Sequence, residues 1–195
     1  MSGRLRVIGG GLAGCEASLQ LAALGFEVDL YEMRPQRETP AHRTDHLAEL
    51  VCSNSLKGQD AKSAHGLFKM ELRTLGSFLL QAADEARVPA GESLTVDRAR
   101  FSAAVERLVA SNPRIRLHRE EVLSLAGDDR PTLLAAGPLC SDALASDLFA
   151  RVGSRRLHFF DAIAPVVEAD SIDMDHAFWR NLWDKGSQAD FLNCP

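Results

Sequence analysis

The segment Gly9-Gly10-Gly11-Leu12-Ala13-Gly14 satisfies the pattern G-x-G-x-x-G and lies between an apolar run, Arg4 to Ile8, and a stretch from Leu12 to Leu24 with small residues on its first turns. A strand that passes directly into a helix through such a turn leaves few folds open, because the glycines have mechanical tasks. Gly9 permits the tight turn, Gly11 lets the backbone approach a pyrophosphate, and Gly14 allows the helix to pack closely on the strand. The helix N-terminus then offers amide donors and positive potential to phosphate oxygens. Gly25 stops the helix, and Glu27 to Tyr31 reads as a second strand, completing a βαβ unit. Glu32 closes that strand about 20 residues beyond the turn, where a carboxylate accepts hydrogen bonds from a ribose hydroxyl and disfavours a ribose phosphate. The pattern predicts an α/β, Rossmann-like domain that binds FAD or NAD rather than NADP.

The alternation of elements continues along the chain. Met33 to His46 carries Pro35, Pro40 and several Arg and His side chains without apolar periodicity, which predicts an exposed loop. From Gly66 to Arg87 apolar residues recur at Leu67, Met70, Leu75, Phe78, Leu79 and Ala82, the spacing of one long helix with a buried stripe. Asp97 can cap a further helix that turns Phe101, Val105, Leu108 and Val109 inward before Asn112-Pro113 ends it. Short strands are expected around Ile115 to Leu117 and Glu121 to Leu125. Thr132 to Ala136, ended by Gly137-Pro138, reads as a central strand returning to the sheet. Beyond it follow a short helix around Ser141 to Phe149, a strand near Leu157 to Phe160 and an irregular acidic stretch from Glu168 to Asp175. Residues 1–138 are therefore expected to form the dinucleotide-binding domain, and residues 139–195 to open a second, inserted domain.

Composition excludes several other classes. The 195 residues are 46% apolar and 25% charged, ordinary for a globular protein, and no apolar run approaches the roughly 18 residues of a membrane span. The first strand is too short for the apolar region of a signal peptide, so a cytoplasmic location without membrane association is expected. The four cysteines, Cys15, Cys52, Cys140 and Cys194, form no C-x-x-C pair, which argues for free thiols. His42 and His46 are four apart, but they lie in a proline-containing loop without a third ligand, and no metal is expected. A net charge of −5 provides no global attraction to nucleic acid.

Resemblance narrows the reading further. Val7-Ile8-Gly9-Gly10-Gly11-Leu12-Ala13-Gly14-Cys15-Glu16-Ala17 and Glu32-Met33-Arg34-Pro35 resemble FAD-dependent tRNA-modifying proteins. Thr39-Pro40-Ala41-His42, Ala48-Glu49-Leu50-Val51-Cys52-Ser53-Asn54-Ser55-Leu56, Arg87-Val88-Pro89-Ala90-Gly91, Val96-Asp97-Arg98, Ala136-Gly137-Pro138 and Asp170-Ser171-Ile172-Asp173-Met174-Asp175 resemble the methylenetetrahydrofolate–tRNA-(uracil-5-)-methyltransferase family, TrmFO. The resemblance implies a glutathione-reductase-type fold with FAD on the Gly9 to Gly14 turn and Gly137 at a neighbouring strand end. It also implies methylenetetrahydrofolate as the one-carbon donor, NADH or NADPH as reductant, and a T-loop uridine of tRNA as the methyl acceptor. Phe191-Leu192-Asn193-Cys194-Pro195 resembles a segment through which the family continues. A longer whole protein is thus implied, with this chain its front part and inactive alone.

Uracil carbon 5 is a weak nucleophile, so a thiolate adding at carbon 6 must activate it and a second group must remove the carbon 5 proton. In the family two cysteines share this work. Cys52 matches the one proposed for proton removal, although a cysteine between Val51 and Ser53 is by default a buried small hydrophobe. Cys15, just past the last glycine, is expected to pack against the sheet, and Cys140 and Cys194 have no assigned role. Arg34, Arg37, His42 and Arg43, with Lys57 and Lys62, could meet flavin, folate or tRNA anions, or form a solvated basic face. Trp179 and Trp183 have the spacing of one helical turn and would most simply pack together, with stacking on a nucleic-acid base as the alternative. A disulfide oxidoreductase lacks support, since neither a paired cysteine motif nor a second glycine-rich turn is present. The tRNA wobble-uridine modifiers resemble the chain less around Cys52. A non-catalytic FAD-binding remnant is the alternative from a different class.

Overall fold

The structure is a computed structural model that describes residues 3–127, 129–153, 167–180 and 191–193. Its centre is a parallel sheet. Strand β1 (Leu5–Ile8) pairs on one side with β2 (Val28–Tyr31), and β2 pairs in turn with β6 (Ile115–His118). On its other side β1 pairs with β7 (Thr132–Leu134), giving the order β6-β2-β1-β7. The connection from β1 to β2 is helix α1 (Leu12–Ala23), so the glycine turn opens a right-sized βαβ crossover and the fold is Rossmann-like α/β. A second, antiparallel sheet has the order β3-β5-β4, from Ser55–Gly58, Ser93–Val96 and Arg87–Val88.

One face of the parallel sheet carries the main core. Val7, Val28, Leu30 and Ile115 lie against Cys15 and Leu19 of α1 and against Phe101, Val105 and Val109 of α4 (Arg98–Ser111). Asp97 caps α4 by accepting from the Arg100 amide at 2.9 Å, and the inward residues are those expected from the helical period. On the opposite face Ile8 packs with Leu144 and Leu148 of α5 (Asp142–Val152), which Ser141 caps.

The stretch expected to be one helix is two. Helix α2 (Ala64–Thr74) and helix α3 (Phe78–Glu85) are separated where Gly76 takes φ +75° and Ser77 begins a new helix by accepting from the Leu80 amide. The stripe divides with them. Ala82 is buried in α3, but Leu67, Met70 and Leu75 are 50%, 50% and 73% exposed, and the buried long side chain of α2 is Lys69. Its Nζ donates to the Gly58 and His65 carbonyls at 3.0 and 3.2 Å, which satisfies an ammonium where an apolar residue was expected.

Three other expectations change. Glu121 to Leu125 is not a strand, although Val122 and Leu125 pack beside Ile8. The run from Thr132 forms a strand of three residues at the end of the sheet order, so among the described residues it is an edge strand rather than a central one. Trp179 lies on β8 (Phe178–Arg180), which pairs with β9 (Phe191–Asn193), and not on a helix. Trp183, Cys194 and the strand expected near Leu157 to Phe160 lie outside the described residues. No helix among the described residues is long and apolar enough to cross a membrane.

Candidate functional site

The C-terminal ends of β1, β2 and β7 border a cleft of about 360 Å³. Gly9 to Ala13 form one wall, Tyr31 to Arg34 a second, and Ala135 to Ser141 a third, with His42, Glu49, Val51 and Glu120 to Val122 around the rim. Crevices outside the carboxyl ends of strands are where open α/β sheets bind ligands, and the volume lies within the usual range for small-molecule sites. The structure thus brings together Gly9, Gly10, Gly11, Leu12, Ala13, Glu32 and Gly137, which come from three separate stretches of sequence.

The glycines divide by what a side chain would meet. At Gly14 a Cβ would stand 1.8 Å from the Gly9 carbonyl oxygen, and at Gly9, with φ +109°, it would stand 2.4 Å from the Ala135 oxygen. Those two positions let α1, β1 and the strand end after β7 approach. Gly11 is the opposite case, with nothing within 4 Å of its would-be Cβ. Its openness belongs to the cleft. Helices α2 to α5 each have a Ser or Asp side chain at the N-cap that accepts an amide, whereas α1 begins at Gly11 without one. Its first-turn amides therefore remain for an anion, the arrangement that suits a pyrophosphate.

Glu32 is anchored rather than simply present. Its Oε2 accepts the Gly10 amide at 2.8 Å, while Oε1 accepts the Arg34 amide at 3.1 Å and the Arg34 Nε at 2.9 Å. A Cβ on Gly10 would fall 2.7 Å from Glu32 Oε2, which gives this middle glycine a task that the motif alone does not reveal. Burial pushes the Glu32 carboxyl up, but the Arg34 guanidinium and the two amides outweigh it and hold the group below the ordinary 4.5. Glu32 is therefore a carboxylate at neutral pH and can accept a ribose hydroxyl.

The loop after β2 is far more ordered by contacts than its composition suggests. Arg34 is only 3% exposed, with Nη1 on Glu49 at 2.8 Å and on the Thr44 carbonyl at 3.0 Å. Glu49 also accepts the Arg43 and Thr44 amides. Arg37 pairs with Glu121 at 3.3 Å. The His42 ring contacts Thr39 Oγ1 at 2.6 Å through Nδ1, and its burial lowers its pKa below 6.5, so it lines the cleft as a neutral imidazole at pH 7. Leu47, Ala48 and Leu50 are buried beside the turn, and the Ala48 amide donates to the Gly10 carbonyl at 2.8 Å.

Cys52 follows this anchored stretch and is exposed, not buried as the default for such a cysteine would have it. Its neighbour Val51 lines the cleft. Cys15 is fully buried, its Sγ lies 3.2 Å from the Gly10 carbonyl oxygen, and burial pushes its thiol up to about 12, which makes it inert. Burial also raises the pKa of Cys140, a thiol on the cleft wall. Among the described residues no group of three or more His, Cys, Asp or Glu side chains is placed to hold a metal.

Comparison with known proteins agrees in direction. Residues 4–195 match the family model described as glucose inhibited division protein A. A methylenetetrahydrofolate–tRNA-(uracil-5-)-methyltransferase TrmFO of Koribacter versatilis is 50% identical over 195 residues, all of this chain and 44% of the relative. A protein of the same name from Anaeromyxobacter sp. is 55% identical over 192 residues, 98% of this chain and 42% of the relative. This chain therefore spans less than half the length of these curated relatives. The crystal structure of Aquifex aeolicus GidA superposes with a TM-score of 0.51 at 19% identity, covering 65% of this chain and 21% of that one, a likeness of fold.

The Glu32 network makes a pH prediction. A carboxylate held below 4.5 in the folded state contributes stability that is present above pH 4.5 and lost as pH falls through the lowered value. Unfolding by urea across this acid range should therefore show stability declining with pH, and Glu32→Gln should flatten part of that slope. An unchanged slope in the variant contradicts the arrangement.

Proposed function

We propose, since this chain belongs to the glucose inhibited division protein A family, that it forms the FAD-binding part of a methylenetetrahydrofolate-dependent enzyme that methylates carbon 5 of a T-loop uridine in tRNA. The observation that carries this reading is identity of 50% or more, over essentially all of this chain, to relatives named for that reaction. The cleft supports it chemically. In this reading the pyrophosphate of FAD lies over Gly11 against the first-turn amides of Leu12 and Ala13, Glu32 accepts the ribose hydroxyls, and Gly137 keeps the far wall open. Residues 1–138 are then the FAD-binding unit and residues 139–195 open the next, with α5 seated against Ile8 at their junction.

FAD, when bound, carries electrons and the one-carbon unit between methylenetetrahydrofolate and uracil. Conversion of a methylene to a methyl consumes two electrons, which NADH or NADPH supplies. This chain's own contribution to the chemistry is Cys52. Once a nucleophilic thiol from elsewhere in the enzyme has added at uracil carbon 6 and the one-carbon unit has reached carbon 5, Cys52 acts as the base that takes the carbon 5 proton. Exposure of Cys52 beside the cleft-lining Val51 suits a group that must meet a macromolecular substrate.

Gly11→Asp tests the cofactor placement. The added side chain enters open space, so the thermal midpoint should be nearly unchanged, while its bulk and negative charge at the pyrophosphate should abolish flavin uptake. Normal flavin absorbance per chain in this variant contradicts the placement.

Cys52→Ala tests the chemistry, in a polypeptide of the relatives' full length. The variant should bind FAD normally and fail to release methylated tRNA in a folate-dependent assay. Near-wild-type turnover removes Cys52 from the reaction.

A further inference from the structure

Two carboxylates, the buried Glu32 and the half-buried Glu49, converge on one guanidinium. Arg34 reaches Glu32 Oε1 through Nε at 2.9 Å and Glu49 Oε2 through Nη1 at 2.8 Å, and the Arg34 side chain is 3% exposed. The three bonds that Glu32 accepts, from Gly10 and twice from Arg34, occupy three of the roughly four lone-pair sites of a carboxylate. What remains is a lone pair on Oε2, the oxygen already tied to the glycine turn. Arg34 takes up Oε1 from both its backbone and its side chain, and so decides which acceptor is left for a ligand.

We infer that Arg34 is a positioning residue for dinucleotide binding, its guanidinium clamped between Glu32 and Glu49 so that the Glu32 carboxylate keeps Oε2 toward the Gly10 amide and a ribose hydroxyl. This rests on the reading that Glu32 meets the ribose. The same clamp ties the cofactor wall to the stretch preceding Cys52, because Glu49 also holds the Arg43 and Thr44 amides and Ala48 donates to the Gly10 carbonyl. A lysine cannot reproduce it, since a single ammonium lacks the planar fork that reaches both carboxylates.

The signature of such a role is a pH profile. Glu32 shares its surroundings with Arg34, His42 and Glu49 of the loop and Cys15 of α1, the Glu106–Arg119 pair acts on Cys15, and Glu120 and Glu121 line the same cleft. Without the guanidinium, only the Gly10 and residue-34 amides oppose burial and the nearby Glu49 carboxylate, and Glu32 takes up a proton nearer neutrality.

FAD binding to the 195-residue chain is measured by quenching of flavin fluorescence between about pH 5.5 and 8. The wild-type profile, to which His42 on the cleft wall contributes at the acid end, is the baseline. Arg34→Met should weaken binding roughly ten- to a hundredfold, the loss expected for a hydrogen bond to a charged group, and should weaken it more at the acid end. Arg34→Lys, which keeps a cation in the core and guards against a variant that does not fold, should lose affinity to an intermediate extent. Glu32→Gln combined with Arg34→Met should bind weakly and with no pH dependence beyond that of the wild type. Wild-type affinity in both Arg34→Lys and Arg34→Met, or a loss equal at every pH, overturns the positioning role. Wild-type affinity in Glu32→Gln alone instead removes the ribose reading beneath it, so the two failures are distinguishable.

Discussion

Helix α1 can lie on the end of β1 only because Gly14 stands against the Gly9 carbonyl, where a Cβ would be 1.8 Å from the oxygen. That contact aims the helix axis at the cleft. It also sets the depth of the core beneath, since Cys15 and Leu19 on the following turn pack on Val7, Val28 and Leu30. With α1 so placed, its uncapped first turn opens beside Glu32 and the strand end after β7, and the remaining walls are built around that opening. The cleft is thus a consequence of backbone packing before it is a collection of side chains.

The second constraint is electrostatic. Glu32 and Glu49 are both mostly buried, and two carboxylates in one low-dielectric region persist only if a cation lies between them. Arg34 fills that place, and the loop folds inward to deliver it. Further out, Glu106 of α4 accepts the Leu47 amide and pairs with His46 and Arg119, which fixes the far end of the same loop. A buried ion pair is weak evidence of net stabilisation, because desolvation offsets most of the attraction. Its value here is directional, fixing which oxygen of Glu32 faces which donor.

Those features that depend on a few adjacent residues were legible in the sequence. The glycine turn, the position of Glu32 and the capped helix from Arg98 to Ser111 all follow from short-range rules of φ, spacing and periodicity. Spacing and composition place Arg34 in a basic loop and do not reveal its burial, which depends on Glu49 folding back from 15 residues away. No local pattern carries that. The break at Gly76 was hidden for a similar reason, since Phe78 and Leu79 continue the helical spacing across it and the decision rests with the Ser77 cap. Lys69 rather than Leu67 or Met70 is buried, and its Nζ donates to the Gly58 and His65 carbonyls, a tertiary contact that the apolar spacing does not carry. The middle glycine of the turn, Gly10, has its reason in Glu32 and Leu47, neither of which is near it in sequence.

The central claim is that this chain holds a dinucleotide by its adenosine diphosphate half, through the α1 amides and Glu32. Competition against bound FAD tests it most directly, with ADP and FMN as the two competitors. The account predicts that ADP displaces FAD from the chain and that FMN, which lacks the pyrophosphate and the adenosine ribose, does not. Displacement by FMN with no effect of ADP would contradict it.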